Sequence, residues 1–319
     1  MRTLLPPAAT PEAFEPLRRD EARLRRGVEE IARRHAGALR GSTESVRFPD
    51  GSLPVYALGC SCVLKLYPPC YADEADTEAA ALEAVAGRLP VATPALIARG
   101  ELDGWCYLLM ARLPGESLAM RWPGLSPAER QSLAAALGEC LAALHALDAT
   151  GIAVPQPDWR AFVAEQTGQC ETRQRGRGLA ADWAAQVPSF LTSVTLAPPP
   201  RVVLLHTEVM REHLLVAFDT TGAPQLSGLF DFEPAMIGAP EYELASVGLF
   251  VTGGDPALLR ALLRAYGQRD DQIDRPLQRR LLAYALLHRY SNLRWYLERD
   301  PPPPGVTTLD DLASRWWAT

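Results

Sequence analysis

Four ionisable side chains interrupt apolar, strand-like stretches that ordinarily exclude charge. Lys65 stands in VLKLY, His206 and Glu208 stand in VVLLHTE, and Asp231 stands in GLFDFE. Each alone is commonly structural, since a strand lysine usually faces solvent and an aspartate after an apolar run usually caps a turn. Their succession along one chain is what phosphoryl transfer from ATP requires: a lysine for the phosphates, a carboxylate to accept a hydroxyl proton and another to bind metal.

His206, Glu208 and His213 form a second hypothesis, in which they bind a metal ion as a triad of their own. That hypothesis needs a partner motif, because a zinc deaminase adds CxxC after HxE and a metalloprotease shows HExxH. Neither motif occurs in the sequence. The phosphotransfer interpretation therefore accounts for more of these residues.

The first third of the chain predicts a small antiparallel sheet with one inserted helix. Before the sheet, apolar residues at helical spacing predict one amphipathic helix over 11–38, which has the character of an appendage. Short β-type runs occupy 45–66, with a turn at 49–52, and a helix is predicted over 75–87. Two further strands surround an Asp103-Gly104 turn.

After Pro114 the pattern becomes mostly helical, beginning with a helix that Ser126 caps. Short strands return around His206 and Asp231, and the ending combines a proline run at 301–304, typical of a rigid spacer, with a docking helix. The sequence thus predicts an α+β fold of two lobes. Residues 1–112 would form an N-terminal helix plus a nucleotide-binding β lobe, and residues 113–319 a mainly helical catalytic and acceptor-binding lobe.

Charge and composition exclude several classes of protein. The 38 acidic and 32 basic residues give a net charge of −6, whereas binding to a phosphate backbone needs a basic surface, so nucleic acid is not an expected partner. The sequence starts without an apolar signal segment and contains no bilayer-spanning stretch, so we expect a cytoplasmic protein and no membrane partner. Cys60, Cys62 and Cys70 leave a structural zinc as an alternative to reduced thiols.

Several segments together carry a resemblance to a known family. They are VLKLY (63–67), EAAALEAVAGRLPVATP (78–94), YLLMARLPG (107–115), LGECLAALHALD (137–148), LLHTEVMREHLLV (204–216), LFDFEPAMIGAPEYELA (229–245), LLAYALLHRY and TLDDLASRWW. In order and spacing they resemble the aminoglycoside phosphotransferase and choline kinase family, most closely its hygromycin B phosphotransferase branch. The resemblance covers almost the whole chain and implies a two-lobed, protein-kinase-like fold with ATP and Mg²⁺ between the lobes.

The resemblance implies a role in binding the phosphates of ATP for residues of the sheet lobe. Lys65 would hold the α- and β-phosphates, and Glu78 would pair with Lys65 and fix it, with Glu83 as the competing partner. The turn Asp50-Gly51-Ser52 would lie over the phosphates, where the hydroxyl of Ser52 could donate to an oxygen.

Adenine and metal would lie where the two lobes meet. The backbone from 111 to Leu113 would contact the adenine edge, and Met110 would lie against the ring. Asp231 would bind Mg²⁺, because a hard cation prefers carboxylate oxygen.

The loop 206–213 departs from the family pattern of Asp as base and Asn as second metal ligand. Glu208 keeps a carboxylate at the base position, one methylene farther out, so acceptance of a hydroxyl proton remains possible. His213 would suit Mn²⁺ better than Mg²⁺ as a metal ligand. Arg211 could direct positive charge at the phosphoryl group, or form a surface salt bridge with Glu212. His206 is expected to be structural, as is Glu243, which would brace this loop.

These roles imply an ATP-dependent small-molecule O-phosphotransferase acting on an aminoglycoside-like or other small hydroxylated acceptor. Carboxylates such as Glu233, Glu241 and Glu298 predict a cationic acceptor bound near Glu208 and the segment 288–298. The alternative is a catalytically impaired, kinase-like nucleotide-binding protein with a scaffold or regulatory role. The changes in the loop 206–213 favour that alternative, whereas Lys65, Glu78 and Asp231 favour the enzyme.

Overall fold

The structure, a computed structural model, describes residues 3–39, 44–49 and 51–318. Its helices and strands in chain order are α1 (Pro11–Phe14), α2 (Glu21–Arg34), β1 (Ser45–Arg47), β2 (Val55–Leu58), β3 (Cys62–Tyr67), α3 (Ala72–Val85), β4 (Leu96–Leu102), β5 (Trp105–Ala111), β6 (Glu116–Ser117), α4 (Leu118–Arg121), α5 (Pro127–Ala146), α6 (Trp159–Gly176), α7 (Ala181–Ala184), α8 (Val187–Ser193), β7 (Val203–Leu205), β8 (Leu214–Phe218), β9 (Pro224–Leu229), β10 (Met236–Gly238), α9 (Pro240–Val247), α10 (Pro256–Tyr266), α11 (Arg275–Leu287), α12 (Leu293–Arg299) and α13 (Leu309–Trp316).

The first lobe is a five-stranded antiparallel sheet in the order β1-β2-β3-β5-β4, and α3 packs against β5. Asp103 and Gly104 join β4 to β5 with φ values of 52° and 83°, the left-handed pair that a two-residue hairpin turn requires. This confirms the predicted turn there. The turn predicted at 49–52 includes Asp50, which lies outside the described residues.

The opening segment belongs to the core of the first lobe, and its description as an appendage was wrong. The ring of Phe14 lies edge-on to that of Trp105, with the centroids 5.9 Å apart. The backbone N–H of Leu5 donates to the carboxylate of Asp103 at 3.0 Å, and the Trp105 indole N–H donates to the Pro6 carbonyl at 2.8 Å. The segment therefore covers the β4–β5 hairpin.

The single helix predicted over 11–38 is two helices. The predicted helix is interrupted before Asp20, and α2 begins after it. The Asp20 carboxylate caps α2 by accepting from the Arg23 backbone N–H at 3.1 Å. An aspartate in this position competes with the helical backbone and favours a new helix start. The apolar stripe continues across the break, which is why spacing alone indicated one helix.

The second lobe is mainly helical, and α5 packs closely against α10. Ser126 caps α5 as predicted, with Glu129 completing a capping box. Two small antiparallel sheets, β6-β8-β9 and β7-β10, carry the loops around His206 and Asp231. The closing helix α13 buries Trp316 and contacts α11. This combination of a sheet lobe and a helical lobe confirms the predicted α+β fold.

No helix in the described part of the chain is both long and apolar enough to cross a membrane.

Gly138 permits the close approach of α5 and α10, because a Cβ atom there would overlap the Leu262 carbonyl oxygen, which is backbone and cannot rotate away. We expect Gly138→Ala to lower the free energy of unfolding by about 1–3 kcal/mol in urea titrations. Gly168, inside α6 and without any atom near such a Cβ, is the matched control. Gly168→Ala should raise stability by up to about 1 kcal/mol. Equal effects of the two substitutions would contradict a tight contact between α5 and α10 at Gly138.

Candidate active site

Lys65 and Glu78 form a buried ion pair between β3 and α3. The Lys65 ammonium lies 2.8 Å from a carboxylate oxygen of Glu78, and the Tyr67 hydroxyl donates to the same oxygen. Only 4% of Lys65 and 1% of Glu78 are exposed. Glu83, the competing candidate, is exposed on the other side of α3. The predicted pair thus forms, and it fixes the lysine at the end of the sheet lobe.

Two further carboxylates from the second lobe contact the same ammonium. Asp231 lies 2.5 Å from the Lys65 nitrogen, and Glu233 forms an ion pair with it. Oxygen atoms of Glu78, Asp231 and Glu233 all lie within 4.8 Å of one another. Asp231 has a φ of 75°, which is uncommon for any residue but glycine and turns the chain directly after β9. The cluster therefore links the two lobes.

The charge of this cluster is unbalanced, since three carboxylates surround one ammonium. Burial raises the pKa of Glu233 to about 8, with Asp231 and Glu78 adding to the effect against the opposing charge of Lys65. Burial opposes ionisation of Asp231 as well, but the charges of Lys65 and His213 outweigh it and hold its pKa well below the usual range. A set of hard oxygen donors with excess negative charge fits a divalent cation such as Mg²⁺.

His206 anchors the loop 206–213 between β7 and β8 from three directions. Its backbone N–H donates to the buried carboxylate of Glu243 at 2.5 Å, and its ring donates from Nε2 to the Phe230 carbonyl at 2.9 Å. Its Nδ1 accepts from the Glu208 backbone N–H at 3.3 Å. Burial lowers the pKa of His206, which keeps the ring neutral. His206 and Glu243 therefore have the structural contacts that the sequence predicted.

Thr207 follows His206 with a φ of 72°, a strained value for a β-branched residue. Its hydroxyl donates to the Pro234 carbonyl at 3.0 Å, which ties the loop to the segment after Asp231. The strain of this backbone conformation is compensated by the hydrogen bonds of His206 and Thr207. It directs the chain so that Glu208 reaches the wall of a cavity.

Glu208 lines a cavity of about 150 Å³ in the second lobe. The rest of its wall is mostly apolar and aromatic: Met210, Leu249, Phe250, Tyr290, Trp295 and Tyr296, with Thr207, Ser246 and His288 among the polar members. Burial raises the pKa of Glu208, and Asp231 adds to this effect, whereas His213 opposes it. A carboxylate with a raised pKa beside a cavity is typical of a general base.

His213 connects Glu208 to the carboxylate cluster. Its Nδ1 donates to the Glu208 carbonyl at 2.7 Å, and its Nε2 lies 3.2 Å from a carboxylate oxygen of Asp231. The imidazole thus holds the loop and Asp231 in one fixed relation.

Arg211 does not point at the cluster, so its predicted role beside the phosphoryl group is corrected. Its Nε donates to the Val251 carbonyl at 2.9 Å, and its guanidinium carbon lies 4.0 Å from the ring centroid of Trp122. The alternative pair with Glu212 does not form either, because Glu212 pairs with Arg299 at 3.2 Å. Burial and the charge of Arg299 lower the pKa of Arg211 to about 10.

The position of Glu233 is also corrected: it lies in the carboxylate cluster at Lys65 and not beside Glu208. It pairs with Lys65 and accepts from the Ser52 hydroxyl at 3.2 Å, and it does not line the cavity beside Glu208. Its position in the sequence could not distinguish a place beside Lys65 from a place beside Glu208, because Glu233 lies only two residues after Asp231. Ser52 is thereby brought to the cluster, although Asp50 of its turn lies outside the described residues.

Met110 and Leu113 lie at the junction of the lobes. Met110 is buried at the end of β5, and Leu113 packs beside Gly228 of β9. The preceding backbone N–H groups are used: that of Ala111 donates to the Ala95 carbonyl, and that of residue 112 to the carbonyl of residue 61. The N–H of Leu113 donates to no described residue.

The aromatic wall beside Glu208 was only partly predicted. The segment 288–298 was expected near the acceptor, and it supplies Tyr290 and Trp295, but Phe250 was not singled out. These aromatic side chains stand out in the structure because they are large and exposed, Tyr290 by 44% and Trp295 by 42%. A sequence does not show exposure, so it could not single them out. No zinc site forms at the cysteines, because the one group of metal-binding side chains found among the described residues is the carboxylate cluster.

His288, on the same cavity wall, makes stability dependent on pH. It stacks on Tyr242, and burial, with Arg289 adding to it, lowers its pKa to about 3 from an ordinary 6.5. Between those values only the unfolded state binds the proton, so the free energy of unfolding falls as the pH drops below 6.5. We expect the loss between pH 7.5 and pH 5 to be about 2 kcal/mol smaller in His288→Phe than in the unmodified protein, measured by urea unfolding. If both proteins lost the same free energy of unfolding, the lowered pKa of His288 would not be a cause of this pH dependence.

Comparisons with known proteins identify the family and the fold of the chain. A model of the phosphotransferase enzyme family matches residues 46–282. A point mutant of aminoglycoside 2'-phosphotransferase-IIIa in complex with GDP is 19% identical and aligns over 85% of this chain and 90% of its own, with a TM-score of 0.67. The macrolide 2'-phosphotransferase MphH from Brachybacterium faecium is 19% identical over 87% of this chain and 99% of its own, with a TM-score of 0.59.

A third structure, the ternary complex of APH(2")-IIa with streptomycin and ATP, is 13% identical over 85% of this chain and 94% of its own, with a TM-score of 0.59. At these identities the solved structures establish the fold, which is the kinase-like fold that the sequence predicted. The family model covers well over half of the chain. The chain therefore belongs to the phosphotransferase enzyme family.

Proposed function

We propose that this protein transfers the γ-phosphoryl group of ATP to a hydroxyl group of a small molecule. The observation that carries the proposal is the arrangement of Lys65, Asp231 and Glu208: a buried lysine among carboxylates, joined through His213 to a carboxylate beside a cavity. Phosphoryl transfer depends mainly on positioning and charge neutralisation, and this arrangement supplies groups for both.

ATP would bind between the lobes against residues of the sheet lobe. Lys65, held in place by Glu78, would contact the α- and β-phosphates, and the hydroxyl of Ser52 would donate to a phosphate oxygen. The N–H of Leu113 would donate to the adenine edge, for which its lack of a partner among the described residues is support. Met110 would lie against the ring.

Asp231 and Glu233 would hold Mg²⁺, as the carboxylate donor set supports. When bound, the cation neutralises the charge of the phosphates during transfer. His213 is placed to orient Asp231 through its 3.2 Å contact, so we assign it a positioning role. Direct ligation of the metal by His213, with a preference for Mn²⁺, is the alternative that the sequence predicts.

Glu208 would act as the base. As the acceptor oxygen forms its bond to phosphorus and the bond to ADP breaks, the hydroxyl proton would move to the carboxylate of Glu208. Its raised pKa favours this step, because a base is most effective when its pKa approaches the working pH.

The boundary between the two lobes, and between their proposed functions, would lie between residues 112 and 113. The last strand of the first sheet, β5, ends at Ala111, and the next strand, β6, pairs with β8 of the second lobe. We propose that residues 1–112 bind the nucleotide and residues 113–319 supply the base and the acceptor cavity.

The acceptor would be a small hydroxylated molecule, as the neighbouring complexes with kanamycin and streptomycin support. The three carboxylates from which a cationic acceptor was expected all have partners, and the charge of the acceptor stays a prediction. Glu233 pairs with Lys65, Glu241 pairs with Arg280 at 2.9 Å, and Glu298 pairs with Arg294 at 2.8 Å.

The proposal is tested by an ATP-consumption screen over hydroxylated metabolites and antibiotics, with the Asp231→Asn protein as the blank. We expect acceptor-dependent formation of ADP by the unmodified protein alone. On the acceptor found, Glu208→Ala should lower the rate by about 10²–10⁴, since it removes the base. Glu208→Asp should retain partial activity, because its carboxylate remains but reaches less far.

Glu171→Gln provides the control, since Glu171 pairs with Arg175 on the surface of α6 and does not line the cavity beside Glu208. Its rate should stay close to that of the unmodified protein. If Glu208→Ala and the unmodified protein reacted equally fast, Glu208 would not be the base. If no acceptor stimulated ADP formation while ATP still bound, the protein would be the non-catalytic nucleotide-binding alternative.

A further inference from the structure

A second cavity, of about 210 Å³, adjoins the cavity beside Glu208. The two cavities share Leu249, Phe250 and Tyr296 in their walls. What distinguishes the second cavity is charge, because Arg211 and Arg299 both line it. The phosphotransfer chemistry proposed above uses neither arginine.

Among the described residues, Asp300 is the only carboxylate in this second wall, and it is already neutralised. Asp300 accepts from Arg315 at 2.7 Å with one oxygen and from the Trp316 indole N–H at 2.9 Å with the other. Arg299 pairs with Glu212 at the surface, where both side chains are at least about a third exposed. The cavity thus contains more positive than negative charge.

Arg211 is the source of this excess. It forms no ion pair with a described carboxylate, and its hydrogen bonds go to a single backbone carbonyl, that of Val251. Stacking on Trp122 holds the guanidinium plane in one orientation. Its Nη1 group donates to no described residue, so a fixed, charged donor remains available to whatever enters the cavity.

We propose that Arg211 and Arg299 bind a carboxylate group of the acceptor, whose hydroxyl end lies in the adjoining cavity at Glu208. A guanidinium binds a carboxylate more strongly than a neutral partner, because the hydrogen bond joins opposite charges. The shared aromatic wall would contact the apolar body between the two ends. The acceptor would therefore be an aromatic or otherwise apolar hydroxy acid. Only the position of its hydroxyl rests on the proposed function.

The anion site is tested without nucleotide, by titrating the protein with para-hydroxymethyl benzoate and para-hydroxymethyl phenylacetate and with their neutral primary amides. Tryptophan fluorescence reports binding, because Trp295 and Trp316 line the two cavities. We expect at least one acid to bind about tenfold or more tightly than its amide. Arg211→Gln should weaken the acid to the level of the amide, and Arg211→Lys should restore part of the difference.

Arg294→Gln is the matched control, since Arg294 pairs with Glu298 on the surface of α12 and lines neither cavity. It should leave the preference for the acid unchanged. Thermal unfolding of each variant shows whether the fold is retained. Equal binding of acid and amide, or an acid preference that survives Arg211→Gln in the folded protein, would overturn the proposal.

Two measurements distinguish a carboxylate of the acceptor from a free anion at this site. They are competition with inorganic phosphate and the turnover of the acid and its amide. If phosphate displaces the acid but the amide is phosphorylated as fast as the acid, the site binds a free anion, which overturns the acceptor part of the proposal. Since the titration contains no ATP, a preference for the acid would stand even if phosphotransfer were never observed. Failure of the proposed function would instead appear as normal acid binding without product.

Discussion

Burying the Lys65 ammonium in an apolar sheet lobe would be prohibitively costly without carboxylates around it. The protein meets that requirement from two other parts of the chain: α3 supplies Glu78, and the segment after β9 supplies Asp231 and Glu233. Because two of these carboxylates belong to the second lobe, the lysine determines how the lobes meet. The chemistry of the cleft follows from this one electrostatic demand.

A second network connects that cluster to Glu208 and the cavity beside it. Glu243 in α9 holds the backbone of His206, and the His206 ring bridges the Phe230 carbonyl and the Glu208 N–H. His213 contacts both the Glu208 carbonyl and the Asp231 carboxylate and so completes this network. Glu208 and Asp231 are therefore not independent, and each is positioned by buried hydrogen bonds whose loss leaves unpaired polar groups.

The sequence predicted the parts of the site that depend on residue type and order. Lys65 was recognisable as a charged residue within an apolar strand, and the family resemblance implied its pairing with Glu78. The fold followed from the alternation of strand and helix patterns. Arg211 and Glu233 were misplaced because both stand beside residues with the predicted roles, and only side-chain direction separates them. Exposure of Trp295 and the charge of the second cavity arise from packing, which no local pattern encodes.

The contacts of the opening segment have a consequence for how the chain folds during synthesis. The hydrogen bonds from Leu4 and from Trp105 that fasten it each join residues 99 positions apart. The opening segment is synthesised before its partners, so it has no surface to cover until the β4–β5 hairpin has also left the ribosome. Contacts of such long range are formed late and slow the search for the native state. We therefore expect the N-terminal lobe to complete its folding only after β5 has been synthesised, with its opening helices uncovered until then.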